Sequence, residues 1–168
     1  LVKLLQGSKT TFRKGEVSGR IAQNFRKALK EDPVIIESAN PRGQLGAALN
    51  RANIIMAKNK PTAAGLLKSR KEYDKLYREI KSARFGSDNP HVITPGERAY
   101  EIVRSTMNKM IAEKVPSADV KASLLKQRRL FQAQDIFLEK TIRQPDTLYQ
   151  RVKGGLENVV PARKITKP

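Results

Sequence analysis

TPGERAYEIVRSTMNKMI, residues 94–111, carries the clearest helix signal in the chain. The Thr94 hydroxyl can accept a hydrogen bond from the third helical amide, and Glu97 can reach back to the amide of the capping residue. Pro95 lies at the first helical position. An amide at that position has no partner within the helix, so the missing proton of proline costs no hydrogen bond. Apolar side chains then recur at helical spacing and predict one buried face: Tyr100, Val103, Met107, Met110 and Ile111.

A second helix is predicted directly after this one. Pro116 interrupts the apolar pattern and Ser117 restarts it. Because the break is so short, the two helices are expected to form a helical hairpin over 95–142. The second helix is predicted to bury Val120, Leu124, Leu125, Phe131 and Ile136.

Further helix signals lie on both sides of the hairpin. Thr62, Asn40 and Ser18 each precede an amphipathic stretch and are predicted to cap a helix. Residues 34–36, Val-Ile-Ile, are expected to form a short extended link after a proline. Pro145 is expected to open a last short helix. The helix that follows Asn40 contains Gly43 and Gly46, which are expected to let two helices approach closely.

Basic residues concentrate at the two ends of the chain. Residues 1–30 hold eight Lys/Arg against one acidic residue, and residues 151–168 hold five against one. Residues 85–116 carry four of each and are neutral. Terminal basic stretches are typical of arms that hold a polyanion. The predicted organisation is a basic arm at 1–18, a helical body at 19–153 and a basic C-terminal tail at 154–168.

Composition agrees with a helical fold. Hydrophobic residues make up 39% of the 168 residues, but aromatic residues only 5%, and tryptophan is absent. The core must therefore come from Leu, Ile, Val, Ala and Met. The sequence predicts an all-α protein, an extended bundle of five or six helices with irregular basic terminal arms.

The net charge of +18 is the strongest functional signal, with 34 Lys/Arg against 16 Asp/Glu. Such an excess favours nucleic acid, anionic lipid or acidic protein as a partner. Lysine and arginine neutralise phosphates without reading bases, so salt-sensitive, non-specific binding is expected. The residues predicted to contact nucleic acid are Lys9, Arg13, Lys14, Arg26, Lys27, Lys30, Lys68, Arg70, Lys71, Lys75, Arg128, Arg129, Arg163 and Lys164.

No constellation in the sequence predicts catalysis. His91 is the only histidine and cysteine is absent, so neither a His-based triad nor a Cys/His metal site can be assembled from these residues. Glu97 and Glu101 lie four apart on one helix, but nothing else converges on them. The chain is therefore predicted not to be an enzyme, with no cofactor and no metal.

Residues 96–141 carry a resemblance to a known class of proteins. The helix of form YxxVRxxMNxxI at 100–111, the Val-Pro pair at 115–116 and LLKQRRLFQAQD at 124–135 resemble segments of the internal or ejection-type helical virion proteins of short-tailed bacteriophages. The resemblance covers roughly 95–142. It implies no catalytic residue.

The resemblance implies a structural role in a virion. Such a protein lies in the capsid interior or head–tail region, passes through the host cytoplasm during assembly, and helps deliver the genome. Its partners would be DNA, bound non-specifically, other virion proteins and copies of itself. Membrane contact is expected only after a conformational change.

Two alternatives remain open from the residues alone. The same basic surface suits a cellular nucleic-acid- or ribosome-associated binding protein. The other alternative is an enzyme fragment, such as a cell-wall hydrolase, whose active residues lie outside these 168. A start at Leu1 is expected of a processed product or of a fragment.

Overall fold

The computed structural model describes residues 1–13, 15–85 and 92–143, and these are α-helical with no β-strand. The all-α prediction is confirmed. This part of the chain contains seven helices, whereas the sequence predicts five or six for the whole protein. The seven are α1 (Val2–Gln6), α2 (Glu16–Glu31), α3 (Pro33–Ile36), α4 (Pro41–Ala57), α5 (Ala63–Phe85), α6 (Pro95–Lys114) and α7 (Ala118–Arg143). Two of them, α1 and α3, are too short to show a periodic pattern in the sequence.

Side-chain caps start α4, α5 and α6 where the sequence predicts. The predicted cap at Ser18 is wrong, because α2 begins at Glu16 without a side-chain cap and Ser18 lies inside it. Thr94 accepts a hydrogen bond from the Glu97 amide at 3.1 Å, and Asn40 accepts one from the Gly43 amide at 3.0 Å. The extended link predicted at 34–36 is wrong. Asp32 accepts a hydrogen bond from the Val34 amide at 3.2 Å and starts the short helix α3 instead. A capping carboxylate before a proline at the first helical position favours this turn.

Helix α6 is the centre of the core and contacts α2, α3, α4 and α5. Its predicted face is buried: Val103, Met107 and Ile111 are 0% exposed. Tyr100 stacks on Tyr73 of α5 with ring centroids 4.8 Å apart. Aromatic stacking of this kind adds to the free energy gained by apolar burial.

The N-terminal segment differs from the irregular arm predicted at 1–18. Leu5 of α1 is 0% exposed and Phe12 is 6% exposed, so both belong to the core. The Phe12 amide donates to the Pro61 carbonyl at 2.8 Å, and the Ala63 amide donates to the Thr10 carbonyl at 3.2 Å. Irregular backbone has no period, so its buried positions leave no pattern in the sequence.

The glycines of α4 do not mediate a close helix contact, contrary to the expectation from sequence. A Cβ at Gly46 would lie in open space, and the three atoms nearest to one at Gly43 all belong to the capping side chain of Asn40. Helix α4 instead packs through Leu45, Ala48, Ala52 and Ile55.

The chain divides into two compact units, residues 1–129 and 130–168. In the first unit, Val120 and Leu124 of α7 join the core as predicted. Leu125 is 48% exposed, so the prediction that it is buried is wrong. It lies about 100° around the helix from Leu124 and therefore points away from the buried side.

Only residues 130–143 of the second unit, the end of α7, are described. Ile136 is 54% exposed, contrary to prediction, and Leu130 and Phe137 are exposed with it. The break between α6 and α7 falls at 115–117 as predicted. The helix expected after Pro145 and the basic tail at 154–168 lie outside the described residues.

Candidate nucleic-acid interface

A cleft lined by four lysines lies where α5 begins, beside α1 and the end of α4. We call it the lysine cleft and define it by Lys58, Lys60, Lys68 and Lys71, all of which are exposed. Its volume is about 420 Å³, and none of its lining residues is acidic or aromatic. Four ammonium groups around one opening create a positive potential that attracts phosphate.

The frame of the lysine cleft is a turn held by side-chain hydrogen bonds. The side-chain Nδ2 of Asn59 donates to the Ile55 carbonyl at 3.1 Å and to the Ser69 hydroxyl at 3.0 Å, which ties the end of α4 to α5. Thr62 accepts a hydrogen bond from the Gly65 amide at 3.1 Å and so caps α5 as predicted. The lysines therefore extend from a fixed backbone.

Gly65 allows the first turn of α5 to lie directly against this turn. A Cβ at position 65 would lie 1.9 Å from the backbone oxygen of Lys60. Gly65→Ala should therefore lower the free energy of unfolding by about 1–3 kcal/mol, the usual cost of overpacking. The gain in helix propensity, about 1 kcal/mol, is too small to offset it. Urea denaturation measures the change.

Gly46→Ala is the matched control, because a Cβ there would meet nothing within 4 Å and the residue lies inside α4. It should leave stability unchanged or raise it by up to about 1 kcal/mol. Equal effects of the two alanines on stability would contradict the close packing at Gly65.

The structure brings together only part of the predicted contact set. Lys68 and Lys71 line the lysine cleft, and Lys75 follows Lys71 one turn later on the exposed side of α5. Lys58 and Lys60 also line the cleft but are absent from the predicted set, because they lie in the turn between α4 and α5 and not on a helical face. The sequence feature that indicates them is the presence of four lysines between positions 58 and 71.

The other predicted residues occupy separate surfaces. Arg26, Lys27 and Lys30 are exposed on α2, where Lys27 pairs with Glu31 at 3.5 Å. Also exposed are Lys9 and Arg13 near the N-terminus, and Arg128 and Arg129 on α7. Lys14, Arg163 and Lys164 lie outside the described residues.

Arg70 differs from the other predicted contact residues of α5. It is 2% exposed rather than on the surface. Its Nη1 lies 3.2 Å from Asp74 Oδ2, and its Nη2 donates to Gln127 Oε1 at 2.8 Å. Arg104 Nε donates to Asp74 Oδ1 at 2.7 Å. We call Arg70, Asp74, Arg104 and Gln127 the buried ion cluster; it joins α5, α6 and α7.

Burial lowers the pKa of the Arg70 guanidinium, and the carboxylate of Asp74 opposes that shift. A guanidinium keeps its charge in proteins even so. The buried ion cluster is therefore a structural joint between helices and offers no exposed charge from Arg70 to a phosphate.

A second groove of about 460 Å³, between the end of α2 and α6, has a different electrostatic character. Its lining includes Lys27, Arg98 and Lys109, which are matched in number by Glu31, Asp32 and Glu101. Arg98 donates to Asp32 at 2.6 Å and also to Glu101. Balanced charges give little attraction for a polyanion, so the lysine cleft is the better candidate.

Within residues 1–13, 15–85 and 92–143 no group of three acidic or histidine side chains is placed to hold a metal ion. No helix in the same ranges combines the length and apolar character that a membrane span requires. The chain matches no protein-family model, no curated protein and no solved structure.

Proposed function

We propose that this protein binds nucleic acid non-specifically through phosphate contacts at the lysine cleft, as a structural component of a tailed-phage particle. The observation that carries the proposal is the cleft itself, four exposed lysines with no acidic lining residue. Lysine ammonium groups act as point charges on phosphate and do not read base edges. Because no aromatic residue lines the cleft, base stacking contributes nothing there.

Two observations support the virion part of the proposal. A net charge of +18 suits a protein that is packed beside genome DNA, where phosphate supplies the counter-charge. The exposed apolar residues near the end of α7, Leu130, Ile136 and Phe137, suit contacts with further copies or with neighbouring virion proteins. The protein would then lie in the capsid interior or head–tail region and help genome delivery.

Removing two charges from the lysine cleft should weaken DNA binding and its salt dependence. Lys68→Gln combined with Lys71→Gln removes two phosphate contacts, so the slope of log K against log salt should become shallower by about 2. Affinity for duplex DNA should fall roughly tenfold at low salt. Fluorescence anisotropy with two unrelated labelled duplexes measures both quantities, and the two sequences should behave alike.

Arg26→Gln combined with Lys30→Gln is the matched control, because it removes the same charge from exposed positions on α2. It should change affinity much less. Equal losses in both variants would mean that net charge alone drives binding and would contradict a role for the cleft.

The virion part has its own test. Peptides of the chain should be found by mass spectrometry in purified DNA-filled particles and should be depleted after the particles eject their genomes. Their absence from filled particles would refute the virion role and leave the binding proposal standing.

A further inference from the structure

A groove of about 440 Å³ between α6 and the first half of α7 lies within the unit formed by residues 1–129. We call it the α6–α7 groove. Four cationic side chains line it, Arg104, Lys109, Lys121 and Arg128, against the single carboxylate of Glu101. Two of these five charges are partly engaged outside the groove, that of Glu101 by Arg98 and that of Arg104 by Asp74. The excess positive charge favours binding of an anionic ligand.

Arg104 is the fixed element among these cations. Its side chain is 13% exposed, and Nε donates to Asp74 at 2.7 Å. The guanidinium plane is therefore oriented before any ligand arrives, which reduces the entropy lost on binding. Lys121 and Arg128 are exposed on the opposite wall and can close on the same ligand from α7.

The rest of the lining is not that of a simple phosphate site. Ala112, Leu124 and Leu125 form an apolar part, and Leu125 is 48% exposed. Asn108 Oδ1 is buried and has no hydrogen-bond partner within the described part of the chain. A buried acceptor of this kind is stabilised by a ligand N–H or O–H group. Ser105 adds a hydroxyl.

We propose that the α6–α7 groove binds a nucleotide, with its phosphates on the cationic walls and its base or sugar against Leu124 and Leu125. A nucleotide has three features that complement the lining: multiple negative charge, an apolar face and hydrogen-bond donors. The volume lies in the range of small-molecule sites, roughly 300–1,000 Å³. The same chemistry is present in a free nucleotide and in one nucleotide of a single strand.

Isothermal titration calorimetry with ADP, tripolyphosphate and adenosine tests the assignment. ADP should bind at one site, tripolyphosphate more weakly, and adenosine not measurably. Lys121→Gln combined with Arg128→Gln should weaken ADP binding at least about tenfold, because charge-assisted hydrogen bonds are lost. Leu125→Ser should weaken ADP binding and leave tripolyphosphate binding unchanged.

Lys126→Gln is the control, since Lys126 is exposed on α7 but does not line the groove. No binding of ADP, or equal weakening by this control, would overturn the site. Equal affinities for ADP and tripolyphosphate would overturn the nucleotide assignment. Displacement of ADP by oligothymidylate would identify the source as a strand, and failure to displace it would identify a free nucleotide.

Nucleotide binding at the α6–α7 groove does not require the lysine cleft. The variant with Lys68→Gln and Lys71→Gln should keep its ADP affinity, and the Leu125→Ser variant should keep its affinity for duplex DNA. Each proposal can therefore fail without the other.

Discussion

Asp74→Ala should lower the free energy of unfolding by roughly 3–5 kcal/mol, because removing one partner of a buried ion pair leaves the opposite charge without compensation. In this protein the carboxylate of Asp74 serves two guanidinium groups at once, Arg70 at 3.2 Å and Arg104 at 2.7 Å. The side chains of Asp74 and Arg70 are each 3% exposed, so water cannot replace the lost carboxylate. Urea denaturation followed by circular dichroism measures the loss.

Asp119→Ala is the matched control. Asp119 lies in the first turn of α7 and is exposed, so its removal should cost at most about 1 kcal/mol through the helix dipole. A second variant separates charge from packing. Adding Arg70→Met to Asp74→Ala removes one of the two guanidinium groups and should recover part of the loss. A loss from Asp74→Ala no larger than that from Asp119→Ala would contradict the buried ion cluster.

The parts of the fold that could be predicted from sequence are those set by neighbouring residues. Thr94, Asn40 and Thr62 cap their helices because a side chain meets an amide three residues ahead, and that spacing is visible in the sequence. The packing of Phe12 could not be predicted, because it depends on Pro61, far along the chain. No local pattern marks a contact of that kind.

In the candidate site, too, the sequence predicts what depends on neighbouring residues and not what depends on distant ones. Lys68 and Lys71 follow from helical spacing, whereas Lys58 and Lys60 join them only because the turn at 58–62 folds against α5. Helical geometry alone indicates that Arg70 does not lie on the exposed face that carries Lys68. The two positions lie about 200° apart around a helix and cannot share a face.

Ile111→Ala and Ile136→Ala make the same chemical change at positions of opposite burial. Both were predicted to be buried, yet Ile111 is 0% exposed and Ile136 is 54% exposed. Ile111 of α6 belongs to the core cluster, so its truncation should lower the free energy of unfolding by about 2–5 kcal/mol, through lost transfer energy and the cavity left behind. Ile136→Ala should change stability by at most about 0.5 kcal/mol.

The comparison is best made by urea denaturation at the lowest protein concentration that gives a signal. At that concentration contacts between copies contribute least, because association scales with protein concentration. A large loss from Ile136→Ala under these conditions would contradict the exposure of this position on α7. A loss that appears only as the concentration rises would instead mean that copies bury the residue between them, as expected if this end of α7 makes the contacts proposed for the assembled particle.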